Sequence, residues 1–302
     1  MTPVPEFGLQ LPVQAQSTLF AQTWERDAGP AELAAVAQAC DQHGFDFVGV
    51  CDHVAIPRER AAAMSTVWYD PVATLGWLAG MTSRVKLLSH VYVVPFRHPL
   101  LTAKAFATLD AVSGGRVVLG VGVGHLAGEF AALDVPFAGR GARTDEYLRT
   151  IRAALADEWG AGDVGQRPRP VQAGGPPIWI GGSSPVALRR AARLGDGWLP
   201  QGPPADGIAA AITVLRRERA AAGRAGEPFA ISAGVAGYVG APGRSLPDEY
   251  TVGKPGRLAE LVRDHVALGV THIQVRIPSR DHVELIDQIA AWASEVIPLA
   301  RS

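Results

Sequence analysis

Asp52 and His53 stand side by side where a short apolar run, Phe45–Cys51, gives way to a loop. An acid beside an imidazole suits proton transfer near neutral pH, the ring exchanging the proton and the carboxylate orienting the ring. The same pair could instead be a turn-capping aspartate and a half-buried histidine. On extended chain, neighbours point opposite ways, so only one of the two can face a common site, and periodicity does not say which. His90 interrupts another apolar stretch, followed by Val91 and Tyr92, and reads either as a satisfied core histidine or as a group directed at a ligand. His125 follows Gly120-Val121-Gly122-Val123-Gly124 directly and forms a His and acid pair with Glu129 at helical spacing. Zinc would need a further ligand, and none is arranged nearby, so no metal site is expected.

Gly120, Gly122 and Gly124 lack the G-x-G-x-x-G spacing of a dinucleotide fingerprint. They serve either close packing or the floor of a site for a flat ligand. Ile180-Gly181-Gly182-Ser183-Ser184-Pro185 is a better candidate for holding phosphate. Here a strand runs into glycines, Ser184 can cap a helix whose first residue is proline, and the helix N-terminus offers free amides. The plain alternative is a well-capped turn. Trp68, Trp179 and Trp198 are core or pocket-wall residues, and no G-x-S-x-G nucleophile elbow exists to support a hydrolase triad.

These residues must be positioned by regular elements, and the chain alternates them throughout. Strands are expected over Phe7–Pro12, Phe45–Cys51, Val85–Val94, Val117–Gly122, Pro177–Gly181, Gly197–Gln201, Phe229–Val239 and Thr271–Ile277. Helices follow over Ala31–His43, Pro71–Thr82, Leu100–Val112, Arg143–Trp159, Ser184–Leu194, Asp206–Ala222, Lys254–Leu268 and His282–Leu299. Val54–Tyr69 reads as a long loop, and Glu129–Pro177 as an excursion carrying one helix. This alternation favours a (β/α)8 TIM barrel, with working residues at the C-terminal strand ends.

With 302 residues, 48% of them hydrophobic, and no linker, the expectation is one domain over residues 1–302. A formal net charge of -1 gives no electrostatic reason for nucleic acid or an anionic membrane as partner, so small molecules are the expected ligands. Two cysteines without metal spacing suggest a reducing compartment. The N-terminal residues do not form a signal peptide, and no stretch is long enough to span a bilayer, so a soluble, cytoplasmic protein is expected.

Seven motifs in order resemble the luciferase-like monooxygenase family, most closely its deazaflavin-dependent oxidoreductase branch. They are Asp52-His53 with VAIPRE (Val54–Glu59), PFRHP (Pro95–Pro99), LDAVSGGR (Leu109–Arg116), LGVGVG (Leu119–Gly124), RGARTDEY (Arg140–Tyr147), IWIGGSS (Ile178–Ser184) and GDGWLP (Gly195–Pro200). The resemblance runs nearly end to end. It implies a barrel, usually homodimeric, that holds a flavin-type ring at its C-terminal mouth.

Carried over by position, it puts Asp52 and His53 near the reactive ring edge as catalytic residues, with His53 as acid or base oriented by Asp52. Gly122 and Gly124 would line the ring pocket beside His125, and Gly181, Gly182, Ser183 and Ser184 would hold the phosphate. A non-proline cis peptide is implied at His90–Val91, against the ring. Family members generally carry a small residue where His90 stands, so either the bulge is displaced or the imidazole enters the pocket. His125 stands where the sugar-phosphate dehydrogenases of this family carry an acid.

The expected cofactor is coenzyme F420, with FMN as the alternative. The expected activity is hydride transfer between F420 and a small organic substrate. Alternatives are a reduced-FMN monooxygenase and a flavin-binding protein without turnover.

Overall fold

The structure, a computed structural model, describes residues 4–18 and 20–302. Among these described residues ten strands form: β1 (Glu6–Gln10), β2 (Phe47–Val50), β3 (Lys86–Ser89), β4 (Tyr92–Val93), β5 (Val117–Gly122), β6 (Ile178–Gly181), β7 (Gly197–Leu199), β8 (Ala230–Val239), β9 (Thr251–Gly253) and β10 (His272–Arg276). Eight of them pair in parallel in the order β10, β1, β2, β3, β5, β6, β7, β8, and β8 pairs back to β10. The sheet is therefore closed, and the expected (β/α)8 TIM barrel is what the chain forms.

The short strands β4 and β9 extend the rim by pairing with β5 and β8. Helices Pro30–His43, Pro71–Ala79, Pro99–Ser113, Arg140–Ala156, Pro185–Leu194, Gly207–Ala221, Pro255–Leu268 and His282–Ala291 surround it. Several start and stop where the sequence anticipates. Asp70 Oδ1 accepts from the Ala73 amide, Ser184 Oγ from the Ala187 amide, and Gly44 ends the first helix at φ 80°.

Four elements differ from expectation. The third strand does not run through to Val94 but stops at Ser89, and the chain resumes as β4 across a cis peptide between His90 and Val91. Val54–Tyr69 is not all loop, since it contains a 3₁₀ turn at Arg58–Arg60 and a helical turn at Ala61–Met64. A short helix, Ala127–Ala132, precedes the expected excursion helix. The last helix passes through a π turn at Trp292–Val296 before Pro298, a residue with no amide to continue the ladder.

Period-2 alternation divides the core. Val48, Val50, Leu87, Val117, Leu119, Val121, Ile178 and Ile180 face outward into the shell shared with the helices. Phe47, Leu88, Val118, Trp179 and Leu199 form a separate buried cluster, one residue from each of five neighbouring strands, which plugs the barrel interior. One inward position further along, β2, β5 and β6 carry Gly49, Gly120 and Gly181. The interior empties at that level, and a cavity of about 340 Å³ opens above the plug.

Several family motifs do structural work far from this cavity. Buried Asp110 accepts from the amides of Val171 and Gln172, and Arg116 bridges Ala79 O, Thr82 Oγ1 and Val85 O. Asp196 accepts from the Ile178 amide and pairs with Arg152 at 2.9 Å.

The strand glycines are not interchangeable. A Cβ on Gly120 would lie 2.1 Å from Ser89 O, whereas one on Gly234 in β8 meets nothing within 4 Å. Gly120→Ala is expected to cost about 1–3 kcal/mol in urea unfolding and Gly234→Ala well under 1 kcal/mol.

Candidate active site

The cavity lies at the C-terminal strand ends and is lined by Cys51, Asp52, His53, His90, Val91, Gly122, Gly124, His125, Gly181 and Gly182, with Phe20, Met64 and Trp68 on the outer wall. Every residue expected to touch a ring is thus gathered around one space, while Ser183 and Ser184 stand at the adjacent turn.

Asp52 and His53, just beyond the end of β2, both line the cavity but find different partners. Asp52 is 3% exposed, and its carboxylate takes both arms of the Arg97 guanidinium at 2.5 and 2.8 Å and the Val93 amide at 2.7 Å. The fork geometry is that of an ionised carboxylate. Burial pushes the Asp52 carboxyl up, opposed by Arg97 and the Val93 amide.

Asp52 therefore does not orient His53, which corrects the role read from their adjacency. The acid that does is Glu129, 1% exposed, whose Oε2 lies 2.9 Å from His53 Nδ1 while Oε1 accepts from the Val54 and Ala55 amides. Burial would raise the Glu129 carboxyl, but His53 and the two amides outweigh it and hold it below its ordinary value of 4.5. An ionised carboxylate can only accept, so the proton of neutral His53 sits on Nδ1 and Nε2 is left as the exchanging atom.

The expected pairing of Glu129 with His125 is not what forms. The His125 ring stands edge-on to His53 at 5.4 Å, and Trp68 does so at 4.3 Å. Burial, reinforced by His53 and opposed by Glu129, lowers His125 below 6.5 and keeps it neutral at pH 7. Trp68 is a pocket wall, whereas Trp179 and Trp198 are buried.

The glycines serve packing and pocket together. A Cβ on Gly122 would lie 2.6 Å from Val91 Cγ2, and one on Gly181 2.8 Å from Val91 Cγ1, so β5 and β6 lack side chains where Val91 is pressed against them. The bulge is not displaced. His90 fits at it because Gly49 leaves room, a Cβ there being only 3.2 Å from His90 Cβ.

At the proposed phosphate turn, Gly182 has a φ of 116°, its amide donates to Leu199 O at 3.1 Å, and Ser184 caps the helix. Ser183 Oγ donates to Gln201 O or Gly202 O, which leaves it only acceptor capacity toward a phosphate oxygen. What remains at this turn is the N-terminal end of helix Pro185–Leu194.

Cys51 also borders the cavity. Burial pushes its thiol up to about 12, against the pull of Gln14 and Gln10. Among the described residues no group of three or more His, Cys, Asp or Glu is placed to hold a metal ion, and no helix is long and apolar enough to cross a membrane.

The sequence profile of the luciferase-like monooxygenases matches residues 6–245. The chain belongs to that family. An uncharacterized protein of Mycobacterium tuberculosis is 31% identical to this family member over 282 residues, covering 85% of the chain and 92% of that protein. An F420-dependent glucose-6-phosphate dehydrogenase of Nakamurella multipartita is 35% identical over 202 residues, covering 57% of the chain and 52% of that enzyme.

Among solved structures, the coenzyme F420 dependent tetrahydromethanopterin reductase of Methanopyrus kandleri superposes with a TM-score of 0.75 at 19% identity, covering 97% of this chain and 99% of that one. The monooxygenase RslO1 of Streptomyces bottropensis gives 0.76 at 22%, with the same coverage. At such identities these two likenesses speak for the fold of this luciferase-like protein.

Two measurements probe the site. Removing one partner of a buried, doubly bonded ion pair leaves the other charge stranded, so Asp52→Ala is expected to cost about 3–5 kcal/mol in chemical denaturation. Glu129 has a folded pKa below its unfolded one. Its contribution is full above the ordinary 4.5 and is lost as pH falls through the lower, folded value. Glu129→Gln should therefore flatten the acid side of the stability profile below about pH 4.5, read as melting temperature against pH.

Proposed function

We propose that this protein is an oxidoreductase that passes a hydride between coenzyme F420 and a small organic substrate. The observation that carries the reading is the Glu129-His53 pair at 2.9 Å, set at the rim of a cavity whose inner wall is glycine and a valine bulge. Three features of the chain suit a flavin-type group. Gly122 and Gly181 let the Val91 bulge reach the cavity, the space is narrow and largely apolar, and a capped helix N-terminus stands at its edge for a phosphate. Relatives that use F420 agree with it.

When bound, the deazaflavin supplies a carbon that carries hydride and reacts little with oxygen. The chain supplies the rest. Val91, Gly122, Gly124, Gly181 and Gly182 would hold the ring, and Ser184 with its helix end would hold the phosphate. His53 Nε2 gives or takes the substrate proton, and Glu129 stabilises the imidazolium that forms. Neutral His125, in the position where the sugar-phosphate dehydrogenases of this family carry an acid, offers a hydrogen bond without a charge. Phe20, Met64 and Trp68 exclude water from the outer side, which favours an apolar substrate bearing a carbonyl or hydroxyl group.

Titration with oxidised F420 and with FMN, followed by fluorescence, tests the reading. Saturable binding of F420 in preference to FMN is expected, and tight FMN binding without an F420 response would overturn the assignment. Once a substrate is in hand, His53→Ala should keep its affinity for F420 but lose about 10²–10⁴-fold in kcat, the usual range for a positioned acid or base.

A further inference from the structure

Four arginines converge away from the barrel mouth. A cavity of about 300 Å³ beside helices Arg140–Ala156 and Pro185–Leu194 is lined by Leu148, Arg149, Arg152, Arg193, Leu194 and Arg224. Its lining holds four guanidinium groups and no carboxylate. Like charges around one space repel unless a counter-charge enters it. The cavity sits at the C-terminal end of helix Pro185–Leu194, whereas Ser184 caps the other end. That helix has 10 residues, about 15 Å of length. None of the six lining residues borders the cavity at the mouth.

Part of the cluster has a structural task. Arg152 Nη2 donates to Leu194 O and to Asp196 at 2.9 Å, and Arg224 spends all three nitrogens on Arg193 O, Gly195 O, Asp196 and Glu227. These bonds satisfy carbonyls at the end of helix Pro185–Leu194. Arg193 gives only Nη2, to Glu218 at 2.9 Å. Arg149 is exposed, and among the described residues it has no hydrogen-bond or ion-pair partner, Glu146 one turn earlier included. Counting Arg217, which shares Glu218, five guanidinium groups stand against Asp196, Glu218 and Glu227, so two positive charges are unmatched.

We propose that this cavity is a second binding site, taking the phosphate group of a small soluble molecule through Arg149, Arg152 and Arg193. A phosphate dianion carries the two charges that the cluster lacks. Guanidinium N–H pairs match its oxygens in spacing and direction. The uncommitted donors, all of Arg149 with Nε and Nη1 of Arg152 and Arg193, come from two helices that meet at the cavity. Leu148 and Leu194 give the same space an apolar side for the body of a phosphate ester. The site is independent of the cofactor reading and of the helix end at Ser184.

The test is the melting temperature of wild type, Arg149→Gln and the double variant Arg149→Gln/Arg193→Gln in rising inorganic phosphate, against sodium chloride of equal ionic strength near neutral pH. Wild type should show a saturable rise of about 2 °C or more over the chloride reference. Arg149→Gln should weaken the apparent affinity about tenfold, and the double variant should lose the response. Phenyl phosphate in place of phosphate distinguishes the source of the group. Tighter binding than inorganic phosphate identifies an ester, and equal or weaker binding identifies the free ion.

In chloride alone, Arg149→Gln should melt no lower than wild type, since it gives up a repulsion and no bond. A wild-type response to phosphate no larger than that to chloride would overturn the proposal. So would a phosphate response that persists undiminished in the double variant, which would place the ion elsewhere, for example at the helix end beside Ser184. A lowered melting temperature of Arg149→Gln with unchanged phosphate affinity, the signature of a merely structural arginine, would overturn it as well.

Discussion

One carboxylate holds the mouth of this barrel together. Asp52, two residues past the end of β2, binds the amide of Val93 in β4 and grips Arg97 with both oxygens. Arg97 lies over the Tyr92 ring at 4.3 Å and reaches Asp70, the cap of the next helix, at 3.7 Å. Two strand ends and a helix start are thereby fixed around a desolvated ion pair that only complete bonding makes tolerable. His53 lies one residue beyond this clamp and the His90-Val91 bulge two residues before Val93, so both sides of the cavity take their placement from it. The three bonds that Asp52 accepts all come from Arg97 and Val93, and the imidazole draws its orientation from elsewhere.

That second acid comes from across the barrel mouth. Glu129 bonds His53 and also the next two amides, so the short helix that carries it is tied to the start of the Val54–Tyr69 segment. The cavity between them is made by subtraction. Large residues fill the barrel up to Phe47, Val118 and Trp179, and the next inward positions on the same strands are glycines. Val91 takes up the space that Gly122 and Gly181 concede, so the bulge and the two glycines can change only as a set.

Much of this was legible in the residues themselves. Strand and helix periodicities, Pro-started helices and Gly stops are local signals, and they give the barrel and nearly all its elements. Local signals fail where the outcome depends on closure. The strand break at Ser89 falls where His90 interrupts an apolar stretch, a signal that reads equally as a core histidine, and only the family resemblance marked its place; Gly49 and the β5 and β6 glycines are what face it.

The partner of His53 is 76 residues away in sequence, and nothing near Glu129 marks it beyond a helical spacing to His125 that proves irrelevant. Adjacency likewise misled for Asp52, because its carboxylate is taken up by Arg97 and the Val93 amide rather than by its neighbour. Arg97 stood within a recognised motif without a role, and its role appears only once the ends of β2 and β4 are brought together.

The thiol of Cys51 has a bearing on what the cavity can admit. With its pKa pushed up to about 12 by burial, Cys51 holds its proton at pH 7. An electrophile entering beside it therefore meets a protonated, poorly nucleophilic sulfur. Resistance to alkylation at this wall of the cavity is in this sense a by-product of burial, set by the dryness of the strand end beside which Cys51 sits.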